Sequence, residues 1–359
     1  MATTLTLDLT PADVLFFRDG RPFDTGRVDS GLPLPQTLAG ALRTHLMSAL
    51  GCDFAALAQA LQGGRDLGAA LAQQSAELAA VAQFRLAGPW LARDDEVLLS
   101  TPASLHRKKD GDDLYLLAPL GEDLPGWTDD AERQGARPLW LRKDVRSEPA
   151  GGFIALSGLQ SILNGETPDP GAVRKADDLF AIEHRTGIGI TPGGSTAAEG
   201  QIYTAGFLRL RPGVRFRAEL SGVSESLAAI LRATAVLRWG GEGRQVHLTC
   251  RESAIDWPKA PADGGDGAMV VLTAPALLDG GWRQRDWRPV TAAVDRPVPV
   301  SGWDLARRGP KPTRFAVPAG SVFFFDRDDP ACPDGPFVGA NADGLLGYGC
   351  YVKGGWRYA

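Results

Sequence analysis

Between Ile202 and Leu220 the residues alternate in character. Leu208 and Leu210 alternate with Arg209 and Arg211, and beyond Pro212-Gly213, Phe216, Ala218 and Leu220 alternate with Arg215, Arg217 and Glu219. A two-residue period belongs to a strand with one buried face, and Pro-Gly is turn chemistry. The pattern predicts an antiparallel hairpin. An odd loop sets Arg211 against Arg215 and Arg209 against Arg217, so that four arginines share one face; an even loop sets arginines against apolar residues. That face is either a solvated sheet surface or a surface for an anionic partner.

The remaining periodicities are shorter. Leu5, Leu7 and Leu9 alternate with polar residues and read as a first strand. Leu38, Leu42, Leu46 and Leu50 recur every fourth residue, which predicts a helix with Arg43 at the edge of its apolar stripe. Strand-like runs follow at Val81–Leu91, Val97–Leu99 and Leu114–Leu117, with the charged turn 107–113 as a hairpin tip. Leu227–Val236 reads as a helix, and Val236–Trp239 and Gln245–Thr249 as strands flanking Gly240-Gly241-Glu242-Gly243-Arg244. Residues 121–152 are polar and Pro/Gly-rich, too long for an ordinary connection, and read as an insertion. The order strand–helix–strand–strand–helix–strand fits twice. This predicts an α+β chain of two ferredoxin-like (RRM-like) domains with loop insertions, 1–200 and 201–359, each with helices on one sheet face and the other face open for a partner.

Composition narrows the function classes. The 44 glycines and 26 prolines favour turns over long helices. A net charge of −5 argues against a generic nucleic-acid binder. Yet eight arginines stand against four glutamates between Ala205 and Glu252, and arginine without lysine suits stacking and bidentate phosphate contacts. Cys52, Cys250, Cys332 and Cys350 are widely spaced, so a disulfide framework is not expected and a cytoplasmic location is. No apolar run is long enough to span a bilayer. His247 and Cys250 are the one close His/Cys pair, without a second ligand pair for zinc. The acidic clusters 94–96, 112–113 and 328–329 read as surface loops.

The chemistry-bearing element is Asp13-Val14-Leu15-Phe16-Phe17-Arg18-Asp19-Gly20-Arg21-Pro22-Phe23, a Gly/Pro-punctuated arginine loop between the first strand and the helix that Pro33-Leu34-Pro35 opens. Guanidinium forks and helix N–H groups both favour phosphate. The glycine turn 240–243 matches neither dinucleotide nor P-loop patterns, but lets backbone N–H groups approach a phosphate or base. No nucleophile–base pair is evident; His45, on the helix near the arginine loop, is the best-placed acid/base candidate and equally a structural hydrogen-bonder.

Several of these motifs occur together in a known pattern. Residues 14–23 with Leu32-Pro33-Leu34-Pro35-Gln36-Thr37-Leu38-Ala39-Gly40-Ala41-Leu42-Arg43, Glu183-His184-Arg185-Thr186-Gly187-Ile188, Glu199-Gly200-Gln201-Ile202-Tyr203 and Gly240–Arg244 resemble the third subunit family of the CRISPR type III-B (Cmr) effector complex. Gly347-Tyr348-Gly349 is similar to the terminal glycine loop of the wider RAMP superfamily. The resemblance implies a non-catalytic subunit that caps the 5′ end of the guide RNA and joins the large polymerase-like signalling subunit to the backbone subunits, without cofactor or metal. It implies RNA contact at Arg18, Asp19, Arg21, Phe23, Thr37, Arg43, His184, Arg185, Thr186, Gly187, Gly240, Gly241, Gly243, Arg244, Gly347, Tyr348 and Gly349. Phe17, Phe23 and Tyr348 are the stacking candidates, with a core role weighed against stacking for Phe17 and Phe23. Two other readings stand beside this one: a metal-independent endoribonuclease that trims precursor guide RNA with His45, and a scaffold whose arginines bind only acidic protein surfaces.

Overall fold

The computed structural model describes residues 3–18, 27–122, 124, 136–190, 197–259, 265–281, 289–304, 309–326 and 342–359. Along the chain the principal elements are β1 (Thr3–Pro11), β2 (Arg27–Asp29), α1 (Pro35–Ala49), α2 (Phe54–Gln62), α3 (Leu67–Ala72), α4 (Ala76–Val81), β3 (Arg85–Arg93), β4 (Glu96–Ser100), β5 (Phe153–Ala155) and α5 (Leu156–Leu163). They continue with β6 (Phe180–Ile190), β7 (Ala197–Leu210), β8 (Val214–Val223), α6 (Glu225–Ala233), β9 (Val236–Arg238), β10 (Gln245–Arg251), β11 (Gly267–Leu272), β12 (Thr291–Ala293), β13 (Val322–Asp326) and β14 (Tyr351–Trp356). The fold is mixed α and β with mostly antiparallel sheets.

Two compact units interleave along the chain. The first comprises 1–89, 177–254 and 299–314, the second 90–176, 255–298 and 315–359. A division at residue 200 does not follow these units, because it falls inside β7 and assigns 90–176 and 177–200 to one body.

In the first unit the strand order is β3–β8–β1–β10–β9, with the unit boundary falling inside β3 after Pro89. Leu5, Leu7 and Leu9 of β1 stand opposite Leu220, Ala218 and Phe216 of β8. All three leucines are fully buried. Helix α6 lies on this apolar face, where the Cys250 thiol donates to the Leu231 carbonyl at 3.4 Å. Helix α1 starts with Pro35 in its first turn, where a missing N–H costs nothing, and buries Leu38, Leu42 and Leu46 as the four-residue spacing predicts. The other face of the sheet is not open at its centre. Thr6, Asp8 and Arg217 are buried there, and Asp8 collects Arg217, Arg215 and Arg251. At its centre the face expected to be open carries an ionic cluster, with Asp8 and Arg217 buried and Arg251 partly exposed.

The expected hairpin of Ile202–Leu220 does not form. Val214 N–H donates to the Arg211 carbonyl at 3.0 Å and Gly213 takes a φ of 78°, so the turn is present. The two strands then part: β7 pairs with β6 and β2, whereas β8 pairs with β1 and β3. The apolar face of β8 finds the leucines of β1 instead of its sequence neighbour. The four arginines separate accordingly. Arg215 and Arg217 go to Asp8, Arg209 to Glu183, and Arg211 to the Asp177 carbonyl at 2.9 Å.

In the second unit, β12–β13–β11–β14 form an antiparallel sheet, and α5 lies close to β14, where a Cβ on Gly354 would meet the Leu163 backbone at 2.7 Å. Strands β4 and β5 pair through Ile154 and Leu99. Asp94 and Asp95, read from sequence as a solubilising cluster, form the two-residue β3–β4 turn with φ of 48° and 66°, the positive pair that a tight hairpin requires. The hairpin predicted around 107–113 is present, with Arg107 opposite Leu114. Among the described residues no helix is long and apolar enough to cross a membrane.

Candidate RNA-binding site

The stem of the arginine loop is held by backbone on three sides. Leu15 and Leu208 exchange N–H···O bonds at 2.9 and 2.8 Å, which attaches the stem to β7. Phe17 N–H donates to Ser30 Oγ at 2.8 Å, Gly31 N–H to the Phe17 carbonyl at 3.2 Å, and Ser30 N–H to the Gly206 carbonyl at 2.8 Å. Gly241 N–H donates to the Phe16 carbonyl at 2.8 Å. The loop thus leaves the sheet at Arg18 and returns into β2 from anchored ends. Asp19, Arg21 and Phe23 lie outside the described residues.

Phe17 is core, only 6% exposed, and packs on Trp239 at 4.9 Å between ring centroids. Trp239 Nε1 donates to Thr37 Oγ1 at 3.3 Å, and the Thr37 hydroxyl donates to the Leu34 carbonyl at 2.8 Å. This ties the first turn of α1 to the strand that enters the glycine turn.

The strand register decides which side chains meet. Phe207 stands opposite Glu183 across the β6–β7 ladder, Arg185 opposite Ala205, and Arg209 opposite Ala181. Alternation puts Glu183, Arg185, Phe207 and Arg209 on one face and His184 and Thr186 on the other. The segment 183–188, read as one motif, therefore presents its side chains on two faces of a strand. His184 and Thr186 are exposed on theirs.

On the first face Asp13 is the hub. Arg185 Nη2 donates to Asp13 Oδ2 at 3.0 Å and Arg209 Nη2 to Asp13 Oδ1 at 3.0 Å. Arg185 Nε donates to Glu183 Oε1 at 2.8 Å, and Arg209 Nε donates to Glu183 Oε2. Hydrogen bonds from Arg209 and then Arg185 hold the Glu183 carboxyl down at about 2. Burial alone would raise the Asp13 carboxyl, but hydrogen bonds from Arg185, the Val14 N–H and Arg209 outweigh it and lower it. Both arginines are correspondingly raised, with the Glu183 hydrogen bond as the main cause.

Arg244 completes the group. The hairpin 238–245 presents it, with Gly240, Glu242 and Gly243 at φ of 93°, 56° and 66°. Its guanidinium lies 4.7 Å from the Phe207 ring centroid, and Arg185 lies 5.4 Å from the same ring. Phe207 in turn packs on Phe16 at 5.2 Å. Arg244 Nη1 is 3.7 Å from Asp13 Oδ2, and Nη2 bonds Glu242 at 3.2 Å.

The structure thus brings together the loop stem ending at Arg18, the turn Gly240, Gly241, Gly243 and Arg244, and Arg185. Arg43 is engaged elsewhere: it donates to the Ala82 carbonyl at 3.2 Å and covers the Phe84 ring, and burial lowers its pKa. Gly347, Tyr348 and Gly349 belong to the second unit, where Tyr348 is 1% exposed and has no open ring face for a base. His45 Nε2 pairs with Thr234 Oγ1 at 2.7 Å, a structural link to the end of α6. His247 and Cys250 point to opposite faces of β10, and burial pushes the Cys250 thiol up to about 11. Glu183, Phe207 and Trp239 are site residues that the sequence does not single out, and Asp13 and Arg209 stand out in it only as members of the arginine loop and of the arginine face. The available signal was that Asp13 and Glu183 each open a recognised motif.

A family described as CRISPR-associated protein (Cas_Cmr3) matches residues 7–356. A chain in the cryo-EM structure of the Type III-B Cmr-beta bound to cognate target RNA shares the fold with a TM-score of 0.53 at 15% identity, over 89% of this chain and 86% of that one. A chain in the Cmr-beta structure bound to cognate target RNA and AMPPnP, state 1, gives 0.51 at 16% identity, over 89% and 85%. No curated protein matches the sequence.

Proposed function

The chain belongs to the CRISPR-associated Cas_Cmr3 family, and from that premise we propose that it is a non-catalytic, RNA-binding subunit of a type III-B effector complex. In this reading it works in the cytoplasm, caps the 5′ end of the guide RNA and bridges the large polymerase-like subunit to the backbone subunits. The observation that carries the reading is the anchored stem: an arginine loop leaves a three-sided backbone clamp next to a glycine turn that carries Arg244. Single-stranded RNA needs phosphate anchors on shape-fitting loops, and this arrangement supplies both. The structural relatives come from complexes bound to target RNA, which supports an RNA partner.

The finer fold reading, two ferredoxin-like domains, is part of the proposal. Taken in chain order, the four main strands of each unit lie side by side as second, third, first, fourth: β3–β8–β1–β10 in one and β12–β13–β11–β14 in the other. This is the order of a βαββαβ unit whose helices cross one face, and α1 and α6 occupy the two crossovers of the first unit. Both units are discontinuous in this reading.

The test is reconstitution of the effector complex with the double variant Arg18→Ala/Arg21→Ala. Loss of guide RNA with the subunits still assembled is the expected result. Full retention of guide RNA would overturn the capping role.

A further inference from the structure

Asp13, Arg185, Glu183 and Arg209 form a closed ring. Each carboxylate uses both oxygens and each arginine uses Nε and an Nη nitrogen, so the path Asp13–Arg185–Glu183–Arg209 returns to Asp13 through four ion pairs. The ring is electrically balanced within itself. Single exposed ion pairs contribute little, but a cyclic network in which each arginine bridges two carboxylates is the geometry in which such pairs reinforce one another. It joins three elements: Asp13 on the loop stem, Glu183 and Arg185 on β6, and Arg209 on β7. Directly after Asp13, Val14 is buried against Ala205 and Phe207, and Leu15 pairs with Leu208.

We infer that this ring is a lock that positions the arginine loop, that Arg185 and Arg209 are positioning residues instead of RNA contacts, and that Arg244 is the anion contact of the cluster. The inference deepens the proposed RNA-binding role and rests on it for the part concerning Arg244. Arg244 differs from the other two in its bonding. Its approach to Asp13 is 3.7 Å, beyond a hydrogen bond, and among the described residues its hydrogen-bonded carboxylate is Glu242 on the same turn. Its guanidinium carbon lies over the Phe207 ring at 4.7 Å, a cation–π contact that holds the group in place without engaging its N–H groups.

The two roles predict opposite signs when a carboxylate is neutralised. If Arg185 and Arg209 gripped phosphate, Glu183→Gln or Asp13→Asn would free guanidinium groups and tighten RNA binding. If the ring is a lock, the same changes loosen the stem and weaken binding.

The experiment uses the full chain with two readouts: amide hydrogen exchange at Leu15, Phe17 and Leu208, and the salt dependence of binding to a short unstructured single-stranded RNA. For Glu183→Gln and Asp13→Asn the expected result is several-fold faster exchange at those amides together with weaker RNA binding. For Arg244→Ala it is unchanged exchange, weaker binding and a shallower plot of log affinity against log salt, by about 0.7 for one lost phosphate contact. Unchanged exchange in both carboxylate variants, or tighter binding by either, would overturn the lock. An unchanged salt slope in Arg244→Ala would overturn its contact role. Should the wild-type chain bind no RNA, the Arg244 role fails while the exchange data still decide the lock, and the proposed function is decided separately by guide RNA retention in the reconstituted complex.

Discussion

Asp8 stands directly across the β1–β8 ladder from Arg217 and accepts both its Nε, at 2.7 Å, and its Nη2, at 3.1 Å. Arg251 Nη2 reaches the same carboxylate at 2.6 Å. The Asp8 and Arg217 side chains are only 10% and 6% exposed, so removing one partner leaves a buried charge uncompensated. Asp8→Ala is expected to lower stability by about 3–5 kcal/mol, read as a shift of the denaturant midpoint. A shift within the range of a surface substitution would show that the cluster is not a stability element.

Gly240 is strained for any other residue. Its φ is 93°, and a Cβ there would approach the Phe16 carbonyl oxygen at 2.8 Å, against the bond that Gly241 donates to the same oxygen. Gly243, at φ 66°, faces open space. Gly240→Ala should therefore destabilise by about 1–3 kcal/mol and Gly243→Ala by about 1 kcal/mol, compared by thermal unfolding. Equal effects would mean that the contact with Phe16 is unimportant.

The ionic lock should be insensitive to pH near neutrality. Glu183 has its carboxyl depressed in the folded chain to about 2 from 4.5, so its contribution is fully present above the unfolded value and is lost as pH falls through the folded one. Asp13 is depressed as well and acts in the same direction. Arg185 and Arg209 are raised and stay charged throughout. Protection of the Leu15 and Leu208 amides, corrected for intrinsic exchange, is expected to be flat from neutral pH down to the mid-fours and to fall below that. A loss of protection between pH 7 and 5 would place the controlling group elsewhere.

Tyr348 separates a structural role from RNA stacking. It is 1% exposed in the second unit, so Tyr348→Ala removes a large buried side chain, with an expected loss of about 3–5 kcal/mol by analogy with other buried aromatics. Near-UV circular dichroism and unfolding of the RNA-free chain are the measurements. Unchanged stability together with weakened RNA binding would restore the stacking role that the sequence suggested.

The sequence by itself determined the local elements and the family. The four-residue leucine spacing marked α1, period-two runs marked β1, β8 and β10, and the glycines marked the turn before Arg244, because these signals come from residues that are neighbours along the chain. The ordered motifs pointed to the family that matches residues 7–356. The tertiary structure alone decided which strands pair and which charges meet. Arg209 and Arg217, eight residues apart, belong to different sheets, because the buried faces of β7 and β8 match distant strands better than each other. His184 and Arg185, adjacent in sequence, part to opposite faces once β6 is a strand. Asp13 meets Arg185 across 172 positions and Arg209 across 196. Sequence alone cannot show such a pairing, because an arginine's charge is visible in the chain while the carboxylate that occupies it is chosen by the register of strands far away.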